Sequence, residues 1–154
     1  MGLEIHETVG VIITNPEKNL FYFQQKDETY WIKQFRMKYC LFSGQIETGE
    51  EEDFALKREL IEELNEEVPK LIYAGSHKIF DCFYEGLLEK NAKFTLYESI
   101  LSTNELVRIS QFPIKEGKCG SLIKKENIFR QEFMSDQNKT LKKYFKVNNI
   151  NCFN

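Results

Sequence analysis

Three glutamates near the middle of the chain have the types and spacing to carry chemistry. Glu59, Glu62 and Glu63 are spaced i, i+3 and i+4, so on a helix they lie on one face. Like charges on adjacent turns repel each other, and a divalent cation would reverse the sign of that interaction. Ligands that are all oxygen favour a hard ion, Mg²⁺ first and Mn²⁺ as the alternative. The spacing therefore predicts a metal-binding helix face.

A magnesium site also predicts a class of substrate. Mg²⁺ in proteins usually keeps several waters and engages phosphate groups of the substrate. Metal-held water beside a metal-bridged pyrophosphate is a recognised arrangement for hydrolysis. Gly44 and Gly49 would let the loop before the helix turn tightly towards the ion. These residues predict hydrolysis of a phosphorylated small molecule.

The composition disfavours most other catalytic designs. The chain of 154 residues has 2 His and 4 Cys, too few histidines for most triads and zinc sites. The cysteines are Cys40, Cys82, Cys119 and Cys152, and they form no CxxC pair. We expect them to be buried or idle thiols in a reducing cytosol. Catalysis has to rest mainly on carboxylates.

Charges are strongly segregated along the chain, whose net charge is −3. Ten acids and two basic residues lie from Glu47 to Glu67, whereas residues 115–154 hold nine Lys or Arg against four acids. An acidic run is most often a solvent-exposed helix face, and late lysines can simply keep a surface soluble. An acidic focus in an otherwise basic chain also suits a cation together with an anionic ligand.

The segment from residue 44 to about 66 resembles the Nudix box, Gly-x5-Glu-x7-Arg-Glu-U-x-Glu-Glu-x-Gly-U, where U is a bulky aliphatic residue. The residues on its positions are Gly44, Glu50, Arg58, Glu59, Leu60, Glu62 and Glu63. Residues 9–13 and Lys115-Glu116-Gly117 resemble the first strand and catalytic loop of the mutator-type (MutT) branch. The resemblance implies an α/β fold, the Nudix-type α/β/α sandwich with a mixed β-sheet, a central Nudix helix and a C-terminal helix.

The resemblance also implies roles for individual residues. The implied magnesium ligands are Glu59, Glu62 and Glu63, with Ser43 through its carbonyl oxygen. Arg58 would orient the carboxylates of the box, and Glu50 would brace its loop. Glu116 is implied as an extra metal ligand or a base, and an ordinary loop acid would explain it equally well.

Three positions depart from the usual pattern. Ser43 replaces the first residue of a common Gly-Gly pair, Asn65 stands where glycine is usual, and Glu66 where an aliphatic residue is usual. Asn tolerates a left-handed helix end better than other non-glycine residues, so we expect Asn65 to close the helix in that way. No departure removes a carboxylate.

The implied reaction is hydrolysis of a pyrophosphate bond in a nucleoside diphosphate linked to another group. A nucleoside triphosphate is the first choice, with dinucleoside polyphosphates or NDP-sugars as alternatives. Asp81 replaces the proline that marks many ADP-ribose hydrolases of the superfamily, and Tyr84 lies at the edge of the window for the tyrosine of dinucleoside polyphosphate hydrolases. Gln137 and Asn138 have the chemistry to bind a base edge, although helix capping explains them as well.

Two other classes of protein remain alternatives. A Nudix-like module without turnover would bind nucleotides or RNA, and a protein-interaction domain would present an acidic helix. Three intact, mutually repelling acids argue against the first, because a binding module has no need to hold them together. The second predicts no affinity for metal.

The remaining residues predict the elements that position these acids within a single domain, residues 1–154. Leu56, Leu60 and Leu64 recur every four residues, and no Gly or Pro interrupts before Pro69, so a helix is predicted from Glu51 to Leu64. The predicted strands are 8–14 and 20–24 as a hairpin, 71–84 and 93–101 as an antiparallel pair, and 117–123. Residues 30–42 read as an aromatic stretch that ends as a strand before a loop at Ser43-Gly44, and residues 136–147 as a closing amphipathic helix. Tyr30, Trp31 and Phe35 either stack a base or pack inside.

No stretch approaches the roughly 18 apolar residues of a membrane span, and the N-terminus has neither a basic nor an apolar signal region. We therefore expect a cytoplasmic protein with a nucleotide substrate and without membrane or DNA partners. Dimers are common in the superfamily, so a homodimer is compatible with this expectation.

Overall fold

The computed structural model describes residues 5–65, 67–85, 91–117 and 119–151, without the side chains of Tyr84, Glu85, Ser135 and Asp136. The strands are β1 (Ile5–Thr14), β2 (Leu20–Gln25), β3 (Tyr39–Cys40), β4 (Phe42–Gln45), β5 (Ser76–Glu85), β6 (Asn91–Ile100) and β7 (Cys119–Lys124). The α-helices are α1 (Glu52–Glu63), α2 (Glu67–Ala74), α3 (Thr103–Ser110) and α4 (Ser135–Val147). Short 3-10 helices cover Lys33–Phe35 and Lys125–Arg130.

The seven described strands form one mixed sheet. Its order is β3-β2-β1-β6-β5, with β4 also paired to β1 and β7 to β2. β1 and β6 are parallel over their full length, from the pair Ile5–Asn91 to the pair Thr14–Ile100. The other pairings are antiparallel. β1 therefore lies at the centre of the sheet, next to the strand that leads into the acidic segment.

Helices α1 and α4 cover opposite faces of this sheet. Alternate side chains of a strand point to opposite sides, so each face has its own apolar cluster. The cluster on the α1 face includes Val9, Val11, Ile13, Leu56 and Leu60. The cluster on the α4 face includes Ile12, Phe94, Leu141, Tyr144 and Phe145. This arrangement confirms the predicted α/β/α sandwich.

Most predicted elements are confirmed. β1 and β2 form the predicted hairpin, with Ile13 opposite Tyr22, and β5 pairs antiparallel with β6. β7 and α4 lie where they were expected, and α1 is one residue shorter at each end than the predicted helix.

Two helices were missing from the prediction. Residues 71–74 were assigned to a strand but end α2, whose Val68 and Ile72 are buried one helical turn apart. Pro69 suggested a break, yet it is the third residue of α2, within the first turn, where a proline lacks no hydrogen bond. In α3, Ser102 and Glu105 form a reciprocal capping box, a signal that is visible in the sequence.

The aromatic stretch before the box also differs from the prediction. Residues 30–42 contain a 3-10 helix and the two-residue β3. The following strand does not end before Ser43-Gly44, because β4 continues through both residues to Gln45 while pairing with β1. The loop that precedes α1 therefore starts at Ile46.

None of the described helices is long and apolar enough to cross a membrane. Cys40 and Cys82 are buried thiols, and Cys119 is a half-buried thiol. Cys152 lies outside the described residues.

Candidate active site

The acids of α1 occupy the border between the core and the surface. The opposite side of the helix packs on the sheet through Ala55, Leu56 and Leu60. The exposed fraction of the side chain is 48% for Glu62 and 14% for Glu59, and Glu63 is buried. The helix thus presents three carboxylates at three depths.

Glu59 lies directly against the backbone of β4. A Cβ added at Gly44 would lie 2.2 Å and 2.3 Å from the two carboxylate oxygens of Glu59. We expected Gly44 to allow a tight turn, but it lies within β4 opposite Val9. Glycine is needed there because a side chain would clash with the Glu59 carboxylate. The turn is at Gly49, whose φ of +81° is in the region that favours glycine.

Arg58 connects the loop to the acids. Its Nε and Nη2 donate to Oε2 and Oε1 of Glu50 at 2.7 and 2.9 Å, a bidentate pair. Its Nη1 donates to Glu59 at 2.9 Å and to Glu62 at 3.3 Å, and Nη2 also donates to the carbonyl oxygen of Gln45. One guanidinium therefore holds the loop and two of the three acids.

This pairing determines the ionisation of the loop acid. The hydrogen bonds from Arg58 and from the backbone N–H of Glu47 lower the pKa of Glu50 to about 2. The same bond to Glu50, with those to Glu59 and Glu62, raises the pKa of Arg58. Both groups are therefore charged at neutral pH.

The pKa values of the two inner acids of α1, Glu59 and Glu63, are raised instead. Burial raises the pKa of Glu63 well above its usual range, and the charges of Glu59, Glu116 and Glu62 add to this while Lys26 opposes it. Burial also raises the pKa of Glu59, against the hydrogen bond from Arg58. The site concentrates negative charge where water offers little compensation.

The end of α1 differs from the expected left-handed closure. Lys18, Met37 and Asn149 are the non-glycine residues with positive φ in the described part of the chain, and Asn65 is not among them. The helix ends because Leu64 turns to an extended conformation. The amide of Asn65 instead donates to the carbonyl oxygen of Pro113 at 3.1 Å.

The loop before β7 docks on this helix end. The backbone N–H of Lys115 donates to the carbonyl oxygen of Glu63 at 2.8 Å, and its ammonium donates to that of Ile61 at 3.1 Å. A positive charge suits the C-terminal end of a helix dipole. The docking brings Glu116 close enough to Glu59 and Glu63 to raise the pKa of both carboxyls.

Sequence reasoning missed two polar residues at the end of β2. Gln24 is fully buried, and its amide donates to the carbonyl oxygen of Glu116 at 3.0 Å. The ammonium of Lys26 donates to the amide oxygen of Gln24 at 3.2 Å. The only available signal was a polar residue at an inward position of an otherwise apolar strand.

The acids have the donor chemistry that a hard divalent cation prefers. Oε2 of Glu63 is buried and has no hydrogen-bond partner among the described residues, which is costly for a carboxylate. Gly44 leaves just the space that the Glu59 carboxylate fills. Within the described residues, no group of three His, Cys, Asp or Glu side chains is placed to hold a metal ion. Arg58 contacts both Glu59 and Glu62.

The family model described as NUDIX domain matches residues 4–134. The chain belongs to the Nudix family. The prediction that it is a member of this hydrolase family, with MutT-like structural relatives, is confirmed. No curated protein matches the sequence.

Solved Nudix structures share this fold at low sequence identity. MutT from Methanosarcina mazei is 14% identical with a TM-score of 0.66, over 98% of this chain and 99% of that one. The NUDIX domain of Shewanella oneidensis NrtR, complexed with ADP ribose, is 11% identical with a TM-score of 0.69, over 94% and 89%. An Ap4A hydrolase from C. elegans is 16% identical with a TM-score of 0.58, over 94% of this chain and 98% of that one.

The predicted substrate residues lie on α4 and β5. Gln137 is buried at the start of α4, where its amide oxygen accepts from the N–H of Leu41 at 2.7 Å and its nitrogen donates to Oγ of Ser43 at 3.3 Å. Asn138 beside it is half-buried. Tyr84 is opposite Ala92 on β6, but its side chain lies outside the description. Gln137 thus joins α4 to the strand that carries Gly44.

The aromatic residues before the Nudix box have different environments. Phe35 is buried in a small cluster with Cys40 and Met134, which corresponds to the packing alternative. Trp31 is 76% exposed, and its ring lies 6.1 Å from that of Tyr30.

Proposed function

We propose that this Nudix protein hydrolyses, with Mg²⁺, a pyrophosphate bond in a nucleoside diphosphate linked to another group. A nucleoside triphosphate is the preferred substrate. The observation that carries the proposal is the graded set of Glu59, Glu62 and Glu63 on one helix face, with a buried and unpartnered oxygen on Glu63. Such a set is unfavourable unless a cation balances it.

Each residue of the site has a role in this proposal. Glu59, Glu62 and Glu63 hold the ion, with the carbonyl oxygen of Ser43 and the carboxylate of Glu116 as further ligands. When bound, Mg²⁺ supplies the charge that polarises a phosphoryl oxygen and acidifies water. Arg58 orients Glu59 and Glu62 and fastens them to the loop through Glu50.

Glu116 has a second role in this proposal. Its loop is held on α1 by Lys115 and on β2 by Gln24, which keeps its carboxylate beside the other acids. A carboxylate held in this position can act as a general base. Glu116 is therefore also the candidate to accept the proton of the attacking water.

The structural relatives support a nucleotide as the substrate class. One is named an Ap4A hydrolase, one is a Nudix domain complexed with ADP ribose, and two are named MutT. A nucleotide-type small molecule is what these proteins have in common, and the finer choice between nucleotides rests on experiment.

The test is a screen for phosphate or pyrophosphate release with Mg²⁺. It covers nucleoside triphosphates including 8-oxo-dGTP, dinucleoside polyphosphates, ADP-ribose, NDP-sugars and capped RNA. Glu62→Gln and Glu63→Gln keep shape and remove charge, and both should abolish most of the turnover. Glu47→Gln is the matched control, because Glu47 is 70% exposed and meets Arg58 only at 3.8 Å.

Three outcomes would contradict the proposal. Turnover that survives in Glu62→Gln and Glu63→Gln within about tenfold, roughly 1.4 kcal/mol of barrier, would exclude these acids as the site. If none of the candidate substrates is hydrolysed although metal is bound, a nucleotide- or RNA-binding module would be favoured. A protein that binds no metal at all would be an interaction domain with an acidic helix.

A further inference from the structure

Lys26 is linked through Gln24 to the loop that carries Glu116. It follows β2 directly, and its backbone N–H donates to the carbonyl oxygen of Lys38 at 2.9 Å, which fixes its place beside the segment 26–38. Its side chain is half-buried, with the ammonium 4.8 Å from the centre of the Tyr30 ring. An ammonium over an aromatic face is held electrostatically.

The site acids keep this ammonium charged. Burial alone would lower the pKa of Lys26, yet its pKa is raised, because Cys40, Glu63, Tyr30 and Glu116 together outweigh the burial. Two of these four groups are acids that the proposed function assigns to the metal. The geometry agrees, because Gln24 accepts from the Lys26 ammonium at 3.2 Å and donates to the backbone carbonyl oxygen of Glu116 at 3.0 Å.

The ammonium also has unused hydrogen-bonding capacity. Lysine has three N–H donors, and Gln24 Oε1 is its hydrogen-bond acceptor within the described residues. Once a divalent cation balances Glu63 and Glu116, the attraction of Lys26 to these acids is offset as well. The remaining donors then need an anion, and a phosphate group of the substrate carries one.

We propose that Lys26 is a substrate-binding residue whose ammonium contacts a phosphate group of the nucleotide beside Glu63 and Glu116. This inference rests on the proposed function and adds to it a phosphate contact from β2. A contact to phosphate, and not to the base, is favoured because Gln24, the acceptor of the Lys26 ammonium, also bonds to the backbone of Glu116, an acid assigned to the metal. It also predicts that affinity for metal and affinity for phosphate respond differently to loss of the lysine.

The experiment measures two binding equilibria for Lys26→Met, Lys26→Arg and the wild-type chain. Mn²⁺ alone is titrated by electron paramagnetic resonance, and inorganic pyrophosphate is titrated by calorimetry at saturating Mn²⁺. Lys33→Met is the matched control, because Lys33 is exposed in the same segment. Thermal unfolding of each variant verifies that it is folded.

Removal of a positive charge should leave Mn²⁺ binding as tight as in the wild type or tighter. Pyrophosphate binding should weaken about tenfold or more in Lys26→Met, the loss expected for one hydrogen bond to a charged group. Lys26→Arg keeps the charge and should recover most of this affinity, and Lys33→Met should match the wild type.

Two results would overturn the inference while leaving the proposed function intact. The first is pyrophosphate binding by Lys26→Met within about twofold of the wild type. The second is a joint loss of Mn²⁺ and pyrophosphate binding in Lys26→Met, which would make Lys26 a support of the fold. If the wild-type chain itself binds no Mn²⁺, the proposed function and the inference fail together.

Discussion

Gly44 and Glu59 lie so close together that a side chain at position 44 would clash with the Glu59 carboxylate. A Cβ added at Gly44 would lie 1.9 Å from the carboxyl carbon of Glu59, far inside van der Waals contact. β4 is held on β1 in this region by the pairing of Gly44 with Val9, and the α1 backbone is fixed by its buried leucines. The carboxylate is therefore the part that would have to move.

Gly44→Ala should displace Glu59 and weaken both metal binding and turnover. A misplacement of about 1 Å can cost on the order of a hundredfold in rate, and we expect a loss of about that size. Gly49→Ala is the comparison, because nothing lies within 4 Å of its added Cβ and only its positive φ is strained. It should cost roughly 1 kcal/mol of unfolding free energy and leave Glu59 in place.

Mn²⁺ titration and thermal unfolding of both variants separate the two effects. If Gly44→Ala binds Mn²⁺ as the wild type does, Glu59 either tolerates the displacement or is not a ligand. If both variants lose stability equally and bind metal equally, the contact between β4 and α1 has no special role.

The local patterns in the sequence were sufficient for α1 and its acids, because helical periodicity depends only on neighbouring residues. They were insufficient for Gly44, whose requirement comes from a side chain on another element. Pro69 was interpreted as a break because a proline has opposite meanings in the first turn and the interior of a helix. The capping box at Ser102 and Glu105 could have revealed α3.

Gln24 and Lys26 were unpredictable for a different reason. They come from β2, far from the box in sequence, and reach the site only because β2 pairs with β7 and thereby meets the loop that carries Glu116. No motif marks such a residue. The side chains that contact a substrate depend on tertiary packing, whereas the metal-binding acids share one helix.

The pair of Arg58 and Glu50 makes a prediction about acid stability. The folded protein holds the pKa of Glu50 at about 2, below the ordinary value of a glutamate near 4.3. The folded state thus binds fewer protons than the unfolded state between these values, so the stabilisation is complete above the ordinary pKa and is lost as pH falls through about 2.

Thermal unfolding of the wild type and Glu50→Gln between neutral and strongly acidic pH tests this. The difference in Tm should be constant near neutrality and shrink at acid pH, because glutamine has no proton to gain. Other acids titrate in both proteins and cancel in the comparison. Glu47→Gln, at an exposed acid, should show little difference at any pH, and a pH-independent gap for Glu50→Gln would contradict the assignment.

The buried carboxylate of Glu98 lies on the face of the sheet opposite to α1. Loss of a hydrogen bond to it should reduce stability without reducing activity. Glu98 accepts a hydrogen bond from the phenol of Tyr144 and lies 3.1 Å from the ammonium of Lys18 and 3.4 Å from His77. Burial and the bond to Glu98 raise the pKa of Tyr144, so the phenol keeps its proton.

Tyr144→Phe removes one buried donor and leaves the carboxylate less well satisfied. We expect a loss of about 1–3 kcal/mol of unfolding free energy, measured by urea denaturation, with KM and kcat unchanged because the Nudix helix lies on the other face. Tyr73→Phe, at a half-buried tyrosine of α2, is the control. A change in kcat for Tyr144→Phe would show that the two faces of the sheet are coupled.

The hydrogen bond from Gln24 to the backbone of Glu116 makes the last prediction. Gln24→Met has a similar length and fills the same buried space, but it leaves the Glu116 carbonyl oxygen without its donor at 3.0 Å. Turnover should fall about tenfold, the equivalent of roughly 1.4 kcal/mol in the barrier. Assays belong well below the unfolding midpoint, since the unpaired carbonyl also costs about 1–3 kcal/mol of stability.

A double-mutant cycle with Glu116→Gln decides whether Gln24 acts through Glu116. If it does, Gln24→Met should add almost nothing to the defect of Glu116→Gln, because the carboxylate that it positions is already disabled. Fully additive losses would mean that Gln24 acts elsewhere, with Lys26 as the next candidate because its ammonium also bonds to Gln24. A cycle of Gln24→Met with Lys26→Met would then show whether those two residues act as one unit.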